Sequence, residues 1–480
     1  MIDTFLKKNI EKNFIHSPTS QQKEAISMLS TFIMNPKSDQ AFLLKGYAGT
    51  GKTSIIGALV KTLIKLKQKV VLMAPTGRAA KVFSSYAENP AYTIHKKIFR
   101  LNSFGTDHSK YSLNDNKYKN TLFIVDEASM ISNYGTSGDA FGSGALLDDL
   151  VEYVFSGDNC KLLLVGDSAQ LPPVGEDESP ALSKNQLLGY GIDVEDFELT
   201  DVVRQDSESG ILFNATLLRE HLKEDDVFEL PRFKVGGVHE DMVSLLGVDL
   251  INELESSYSN VGKEETVVIC KSNKRANMYN QGIRNSVFYR EEELSSGDLL
   301  MINKNNYYWS KEYKEMEFIA NGEIVRLVRI SSHQELYGFR FADVTIAFPD
   351  YDEYEMDVKI LIDTLHTDTP TLSREQQERL FYAVMEDYAD IPLKRDRIKK
   401  IKEDPFFNAL QVKFAYAITG HKAQGGQWKH VYLDQAYVSE DYLTPDYFRW
   451  LYTAFTRATE KLYLVNYPKD KLDIAEKIID

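Results

Sequence analysis

Residues 42–65 read FLLKGYAGTGKTSIIGALVKTLIK, and this stretch decides the fold. An apolar run, a glycine-rich turn and a helical pattern follow one another in it. The turn, residues 46–53, fits the phosphate-loop pattern G-x-x-x-x-G-K-[ST], and strand–loop–helix is the context that such a loop requires. We therefore predict a strand, a phosphate-binding loop and a helix here.

The loop residues have separate tasks in holding a nucleotide. The glycines let backbone N–H groups close around phosphate oxygens, and the helix N-terminus adds the positive end of its dipole. Lys52 supplies a cation for the β- and γ-phosphates, and Thr53 supplies a hydroxyl ligand for Mg²⁺. We expect ATP and Mg²⁺ as cofactors, and the loop contacts to be Gly46, Ala48, Gly49, Thr50, Gly51, Lys52 and Thr53.

Two adjacent carboxylates, Asp126 and Glu127, follow the apolar run TLFIV. The first can hold Mg²⁺ beside the phosphate loop, and the second can accept a proton from the attacking water. The pair alone is a weak signal, but a phosphate loop about 75 residues upstream strengthens it because the two strand ends can lie side by side. We expect Asp126 to bind the metal together with Thr53, and Glu127 to be the general base.

Gln170 follows a third apolar run, KLLLVG, in a turn held by Pro172 and Pro173. A glutamine at this place can touch the γ-phosphate or orient water, so it can report whether ATP is intact. The pattern alone leaves open a polar turn residue with no ligand.

The rest of the chain indicates an α/β fold with two inserts. Apolar runs of four to six residues alternate with helical stretches, which is typical of parallel strands in βαβ units. Residues 101–120 are polar and turn-rich, as in a small hairpin, whereas residues 297–350 read as the short strands of a small β-barrel or sheet. Residues 370–405 are charged and helical by pattern, which favours a solvated helical face.

Composition limits the class of protein. The chain has 480 residues, 43% of them hydrophobic, which is enough for two or three packed cores. No stretch reaches the ~18–20 apolar residues that cross a bilayer, and the N-terminus lacks a secretory signal. Cys160 and Cys270 have no CxxC neighbour, which predicts apolar fillers rather than a disulfide or zinc site. We expect a cytoplasmic protein with no membrane partner.

The net charge of −15 argues against a nucleic-acid partner, because phosphate contacts need cations. The field at a groove matters more than the sum over the chain, however. The acidic residues crowd into a few segments that read as outward faces, such as GEDE and EDDVFE. The charge objection is therefore weakened but not removed.

The chain resembles the superfamily 1 helicases in the order of its motifs. They are GYAGTGKT, APTGRAAK, TIH, VDEAS, GDSAQLPPV, LTDVVRQ, AYAITGHKAQGGQW and LYTAFTRATEKLYLV. Within that superfamily it is similar to the RecD/Dda group, the branch that moves 5′→3′ on single-stranded DNA. The motifs extend from about residue 19 to residue 463, nearly the whole chain.

The resemblance implies two RecA-like P-loop NTPase lobes with ATP between them. Residues 1–205 would form lobe 1A, with a small hairpin insert at about 99–120. Residues 206–296 and 412–480 would form lobe 2A, and residues 297–411 an SH3-like β-barrel insert, 2B. Single-stranded DNA would cross both lobes on the surface opposite the nucleotide.

The resemblance also implies roles around the nucleotide. Gln22, in PTSQQKEA, matches the glutamine that recognises adenine, with Gln21 as a rival. Arg204 and Arg457 match arginines that reach the γ-phosphate from the interlobe cleft, where their charge meets the negative charge of phosphoryl transfer. A surface salt bridge is the alternative for either arginine. Gly425, in KAQGGQW, is also expected at the nucleotide.

On the DNA side, the family's contacts fall on short hydroxyl and basic groups that suit phosphate without reading sequence. They are Pro75, Thr76, Thr93, His95, Thr419, His421 and Lys422. Phe104, in the hairpin, could stack on a base or split a pair, although packing against its own lobe is equally open. For His95 and His421 a structural histidine is the alternative.

The sequence therefore predicts a monomeric, ATP-dependent 5′→3′ helicase acting on single-stranded DNA and single-strand/duplex junctions. The short hairpin keeps open a translocase that strips proteins without efficient unwinding. Glu127 and the two arginines argue against an ATP-gated binding module, because a pure binder needs neither a general base nor arginine fingers. RNA is left open as a substrate. Protein partners and the pathway, DNA repair among others, are left open.

Overall fold

A computed structural model describes residues 2–14, 16–101, 111–134, 142–202, 209–223, 229–237, 239–312, 318–436, 438–439 and 442–474. Its N-terminal part is an α/β unit built on one parallel sheet and a small hairpin. The strands of this part are β1 (Gln40–Gly46), β2 (Lys69–Ala74), β3 (Ala91–Thr93), β4 (Phe99–Leu101), β5 (Tyr111–Leu113), β6 (Thr121–Val125), β7 (Lys161–Gly166) and β8 (Asp193–Leu199). The helices are α1 (Ile2–Lys12), α2 (Ser20–Met34), α3 (Lys52–Lys65), α4 (Gly77–Ala87), α5 (Ile94–Ile98), α6 (Leu146–Phe155) and α7 (Lys184–Leu188).

The first sheet has six strands in the order β3-β2-β6-β7-β1-β8, and all its pairings are parallel. Successive residues of a strand point to opposite faces, and both faces are covered by helices. Leu43 accordingly belongs to one apolar cluster, whereas Phe42 and Leu44 belong to another. This is why the strand reads as a continuous apolar run. Strands β4 and β5 pair as an antiparallel hairpin, with Phe99 opposite Leu113.

The C-terminal part holds a second parallel sheet and a barrel. Its strands are β9 (Phe233–Val235), β10 (Met242–Leu245), β11 (Thr266–Cys270), β12 (Leu299–Ile302), β13 (Ile324–Leu336), β14 (Phe339–Phe348), β15 (Tyr354–Leu361), β16 (Leu410–Phe414), β17 (Ala417–Thr419), β18 (Trp428–Asp434), β19 (Ala458–Val465) and β20 (Leu472–Ile474). The helices are α8 (Gly210–His221), α9 (Leu250–Asn260), α10 (Asn273–Ser286), α11 (Arg374–Asp387), α12 (Lys394–Ile401), α13 (Gly420–Ala423) and α14 (Pro445–Phe455).

The second sheet has five parallel strands in the order β10-β19-β18-β11-β17. Strands β12 to β16 form a closed barrel inserted between β11 and β17. Helices α11 and α12 follow β15 and share an apolar cluster with the barrel, in which Leu380 and Val384 are buried. Two α/β lobes, a hairpin in the first and a barrel in the second confirm the predicted fold class. The residue limits of the domains remain our proposal.

A buried carboxylate joins the barrel to the second lobe. Asp298, just before β12, is fully buried and accepts hydrogen bonds from Arg284 (Nε, 3.1 Å), Arg290 and the Tyr416 hydroxyl (2.9 Å). A buried carboxylate is stable only when its oxygens are this well satisfied. The network therefore holds the barrel's first strand against α10 of the second lobe.

Both cysteines are buried and free, and burial raises the pKa of each thiol. A raised pKa makes a thiol less reactive, in agreement with the predicted role as an apolar filler. Among the described residues, no helix is long and apolar enough to cross a bilayer.

Candidate active site

A cavity of about 510 Å³ lies between the two lobes and is lined by the predicted catalytic motifs. The first lobe contributes the phosphate loop, the ends of β6 and β7, and Gln170. The second lobe contributes the start of α8 and residues 456–460. The lining residues predicted from the sequence are Ala48, Gly49, Gly51, Lys52, Thr53, Asp126, Glu127, Gln170 and Arg457. Ligands of α/β folds bind beyond the carboxyl ends of the parallel strands, where this cavity lies.

The phosphate loop connects β1 to α3 and has the conformation that its glycines allow. Gly49 and Gly51 have φ angles of +74° and +87°, a region that residues with a Cβ rarely adopt. The Lys52 ammonium donates to the carbonyl oxygens of Gly46 (2.6 Å) and Tyr47 (2.9 Å) and lies 4.0 Å from Asp167 Oδ2. The loop thus holds a cation at the N-terminus of α3, as an anion-binding site requires.

Asp126 and Glu127 follow β6 and lie at the floor of the cavity. The Tyr86 hydroxyl donates to Asp126 Oδ2 (2.6 Å), and the Glu127 amide donates to Asp126 Oδ1 (2.9 Å). Glu127 has a φ of +51°, a left-handed backbone that turns its side chain into the cavity lining. Burial raises the pKa of both carboxyls, and for Glu127 the nearby Arg457 opposes the rise. A raised pKa suits a proton acceptor.

Gln170 is buried at the cavity wall, and its Oε1 has no hydrogen-bond partner among the described residues. A buried polar atom without a partner is costly unless a ligand or water satisfies it. Together with the glycine-rich loop and the Asp126 carboxylate, this atom fits a nucleoside triphosphate carrying a divalent cation. Lys52 and the loop amides would hold phosphate, and Thr53 and Asp126 would hold the metal.

Arg457 follows α14 and brings the second lobe to the cavity. Its side chain is buried and lies 3.9 Å from Glu127 Oε1, measured from Nη1. It also donates to the carbonyl oxygens of Thr453 (3.1 Å) and Gly426 (3.2 Å). These bonds orient the guanidinium from its own lobe. The other predicted arginine, Arg204, lies outside the described residues.

Tyr452 is a site residue that sequence reasoning missed. Its buried hydroxyl donates to Asp167 Oδ2 (2.7 Å) and accepts from the Ala48 amide (2.8 Å), so α14 is bonded to the phosphate loop. Tyr452 precedes Arg457 by five residues in LYTAFTRA, and Asp167 stands in GDSAQ. Both motifs stand out in the sequence, but only the folded chain shows that these two residues meet.

Gln22 and Gln21 lie beside the loop but are both engaged by backbone groups. The Gln22 amide nitrogen donates to Thr50 O (2.9 Å), and its Oε1 accepts from the Thr19 amide (3.0 Å) in a capping box at the start of α2. Gln21 Oε1 accepts from the amides of Thr200 and Asp201. The structure thus brings Gln22 to the phosphate loop, and recognition of adenine by it stays a prediction.

The predicted DNA-side residues lie at helix N-termini that follow parallel strands. Thr76 caps α4 and Thr93 caps α5, each accepting from a backbone amide at 3.2 Å, and Thr419 stands at the start of α13. Partial burial lowers the pKa of His421, and burial brings the pKa of Lys422 to about 8. Residues from both lobes therefore contribute to this set. Phe104 lies outside the described residues.

Gly425 does not line the cavity and lies instead against Thr76 and Ala79 of the first lobe. It has a φ of +70°, and a Cβ there would lie 3.2 Å from Thr76 Oγ1 and 3.1 Å from Ala79 Cβ. The glycine therefore allows the second lobe to approach α4 of the first. Its predicted contact with the nucleotide stays a prediction.

Two family models match parts of the chain. Residues 19–230 match a family model described as an AAA domain, and residues 414–465 match a UvrD-like helicase C-terminal domain. The chain is 24% identical to the uncharacterized protein R530 of Acanthamoeba polyphaga mimivirus, covering 92% of this chain and 98% of that protein. It is also 24% identical to the ATP-dependent DNA helicase dda of Enterobacteria phage T4, covering 85% of this chain and 90% of that protein.

A third relative has a higher sequence identity over a shorter part of the chain. The chain is 33% identical to the ATP-dependent RecD2 DNA helicase of Deinococcus radiodurans over 171 residues, which is 35% of this chain and 20% of that protein. Among solved structures, the Pif1 helicase from Bacteroides in complex with ADP-AlF3 and ssDNA is similar, with a TM-score of 0.46 and 14% identity, covering 96% of this chain and 95% of that one. The two family models and the RecD2 and Dda relatives support a superfamily 1 helicase of the RecD/Dda-like group.

Proposed function

We propose that this protein is an ATP-dependent DNA helicase that moves 5′→3′ on single-stranded DNA. The observation that carries the proposal is the 3.9 Å approach of Arg457 Nη1, from the second lobe, to Glu127 Oε1, from the first. The catalytic set is complete only when the lobes are together. ATP hydrolysis is therefore coupled to the approach of the two lobes, as a motor requires.

The proposed hydrolysis uses the chain's own residues in an ordered set. Lys52 and the loop amides bind the β- and γ-phosphates, while Thr53 and Asp126 hold Mg²⁺, which neutralises phosphate charge when bound. Glu127 takes the proton of the attacking water, which Gln170 orients. Arg457 stabilises the charge that builds on the transferred phosphoryl group. We assign the same role to Arg204 from its motif.

Coupling to DNA rests on the position of the DNA-side residues on both lobes. Thr76 follows β2 in the first sheet, and Thr419 ends β17 in the second. A strand bound to both would favour the arrangement in which Arg457 faces Glu127. We therefore expect a low ATPase rate without DNA and a strong rise with single-stranded DNA. An ATPase rate indifferent to nucleic acid would contradict this coupling.

Directionality rests on the motif resemblance, and a strand-displacement assay tests it. Duplexes carrying a 5′ or a 3′ single-stranded tail are incubated with ATP and Mg²⁺, and release of the labelled strand is followed. We expect release from the 5′-tailed duplex only. Release from the 3′-tailed duplex alone would overturn the assigned polarity.

A translocase without efficient unwinding is the second candidate. The observation that favours it is the small size of the hairpin, whose two strands have only three residues each. Translocation pulls one strand, and a rigid element must block the other for a duplex to separate. In the same assay, DNA-stimulated ATP hydrolysis with no strand release from either duplex would favour this candidate.

A further inference from the structure

One segment of the barrel lies on DNA-side residues of both lobes. We call this segment, residues 318–323 between β12 and β13, the strap. The Phe318 ring lies edge-on to the His95 ring of the first lobe, with ring centroids 6.2 Å apart. Asn321 Oδ1 accepts a hydrogen bond from the Lys422 ammonium of the second lobe. The strap thus contacts two residues to which the sequence assigns DNA binding.

The third contact of the strap is at the N-terminus of α4, beside Thr76. Glu323 is buried, and its Oε1 lies 2.1 Å from the position that a Cβ on Gly77 would take. The glycine is therefore required here, because any larger residue would displace the carboxyl group. Backbone N–H groups at the start of a helix attract anions, so Glu323 is at a place that suits a phosphate.

The carboxyl group of Glu323 is poorly satisfied where it lies. Its Oε1 accepts from the Tyr351 hydroxyl at 3.2 Å, but its buried Oε2 has no hydrogen-bond partner among the described residues. Burial and the nearby Asp350 raise its pKa to about 8, whereas Tyr351 and Arg78 oppose the rise. A buried oxygen without a partner costs free energy, so the strap is held in place at a cost that its release would remove.

We propose that the strap is an autoinhibitory element, which covers the phosphate-binding start of α4 with Glu323 and is displaced when single-stranded DNA binds. The proposal rests on the proposed function, since it takes the DNA-side residues to be Thr76, His95 and Lys422. The barrel then acts as a competitor of the DNA strand at those residues. Binding of DNA is weakened by the fraction of molecules in which the strap is closed.

Affinity for a fluorescent oligo(dT), measured by anisotropy without nucleotide, tests the proposal. Glu323→Ala should bind about fivefold more tightly than the wild type, because without the carboxyl group a larger fraction of molecules has the start of α4 uncovered. Glu355→Ala is the matched control, because Glu355 is an exposed acid of the same barrel. The control should bind like the wild type. Binding by Glu323→Ala that is equal to or weaker than that of the wild type would overturn the proposal.

Hydrogen exchange in the wild type keeps the test valid if Glu323→Ala fails to fold. Peptides covering the strap and the adjacent segment Pro349–Tyr351 should exchange faster once oligo(dT) is bound. Slower or unchanged exchange there, with DNA bound, would overturn the proposal while the proposed function stands. Failure of both the wild type and Glu323→Ala to bind any single strand would refute the proposed function and the strap together.

Discussion

Replacing Tyr452 by phenylalanine should uncouple the lobes while leaving the ring packing intact. The hydroxyl group makes two bonds across the cleft, one to the buried carboxylate of Asp167 (2.7 Å) and one from the Ala48 amide (2.8 Å). A hydrogen bond to a charged group contributes about 1.5–3 kcal/mol, and one between neutral groups about 0.5–1.5 kcal/mol. Their loss therefore shifts the equilibrium toward separated lobes by about 2–4 kcal/mol.

The consequence for ATP hydrolysis follows from Arg457, which lies only five residues further along the chain. Because its approach to Glu127 requires closed lobes, the kcat of DNA-stimulated ATPase should fall about tenfold or more. Tyr442→Phe is the matched control, since Tyr442 is exposed on the same lobe and should be unaffected. The assay is steady-state ATPase with saturating oligo(dT), together with the radius of gyration from X-ray scattering. A Tyr452→Phe protein with kcat and KM both within about twofold of the wild type would refute this reasoning.

Four further substitutions test single residues. Lys52→Ala should abolish ATP hydrolysis. Glu127→Gln should still bind the nucleotide but lose turnover by orders of magnitude, because glutamine keeps the shape of the side chain and cannot accept the proton. A near-normal hydrolysis rate for Glu127→Gln would show that another group is the base. Asp298→Ala leaves Arg284 buried without its ion-pair partner. The free energy of unfolding of the barrel, measured with urea, should therefore fall by about 3–5 kcal/mol. A decrease of less than about 1 kcal/mol would contradict the proposed junction between the barrel and the second lobe. Glu323, faced by Tyr351, Asp350 and Arg78, has a pKa raised from 4.5 to about 8, so the folded protein holds a proton that the unfolded chain releases. The stability that this proton contributes is fully present below pH 4.5 and is lost as pH rises to about 8. The loss amounts to a few kcal/mol, because each tenfold difference in proton affinity between the folded and unfolded chain is worth about 1.4 kcal/mol. Melting temperatures of wild type and Glu323→Gln should diverge over that range, and parallel curves would exclude a titrating Glu323.

The nucleotide-side residues could be predicted because their chemistry is local. Lys52 and Thr53 follow a loop whose glycines impose its shape, and Asp126 stands at the end of a strand that reads as apolar throughout. The carboxyl ends of parallel strands share one edge of a sheet, so these motifs meet without any knowledge of distant contacts. The cavity lining of phosphate loop, carboxylates and Gln170 is the expected result.

Residues whose role depends on another lobe could not be predicted in this way. Nothing in the pattern around Tyr452 or Glu323 shows what lies opposite, because their partners Ala48 and Gly77 are hundreds of positions away in the chain. Gln22 shows the reverse case, in which a motif residue is placed beside the loop but has its amide group bonded to the backbone.

The sequence by itself determined the α/β class, the phosphate loop and the resemblance to the superfamily 1 helicases, since each depends on residue type and spacing over short stretches. The tertiary structure alone decided how the lobes meet: Tyr452 and Arg457 on the nucleotide side, and Glu323 of the barrel on the α4 terminus. The physical reason is that burial and hydrogen-bond partners across an interface are set by packing between distant segments. The sequence pattern shows which face of a segment is apolar, but not which other segment packs against that face.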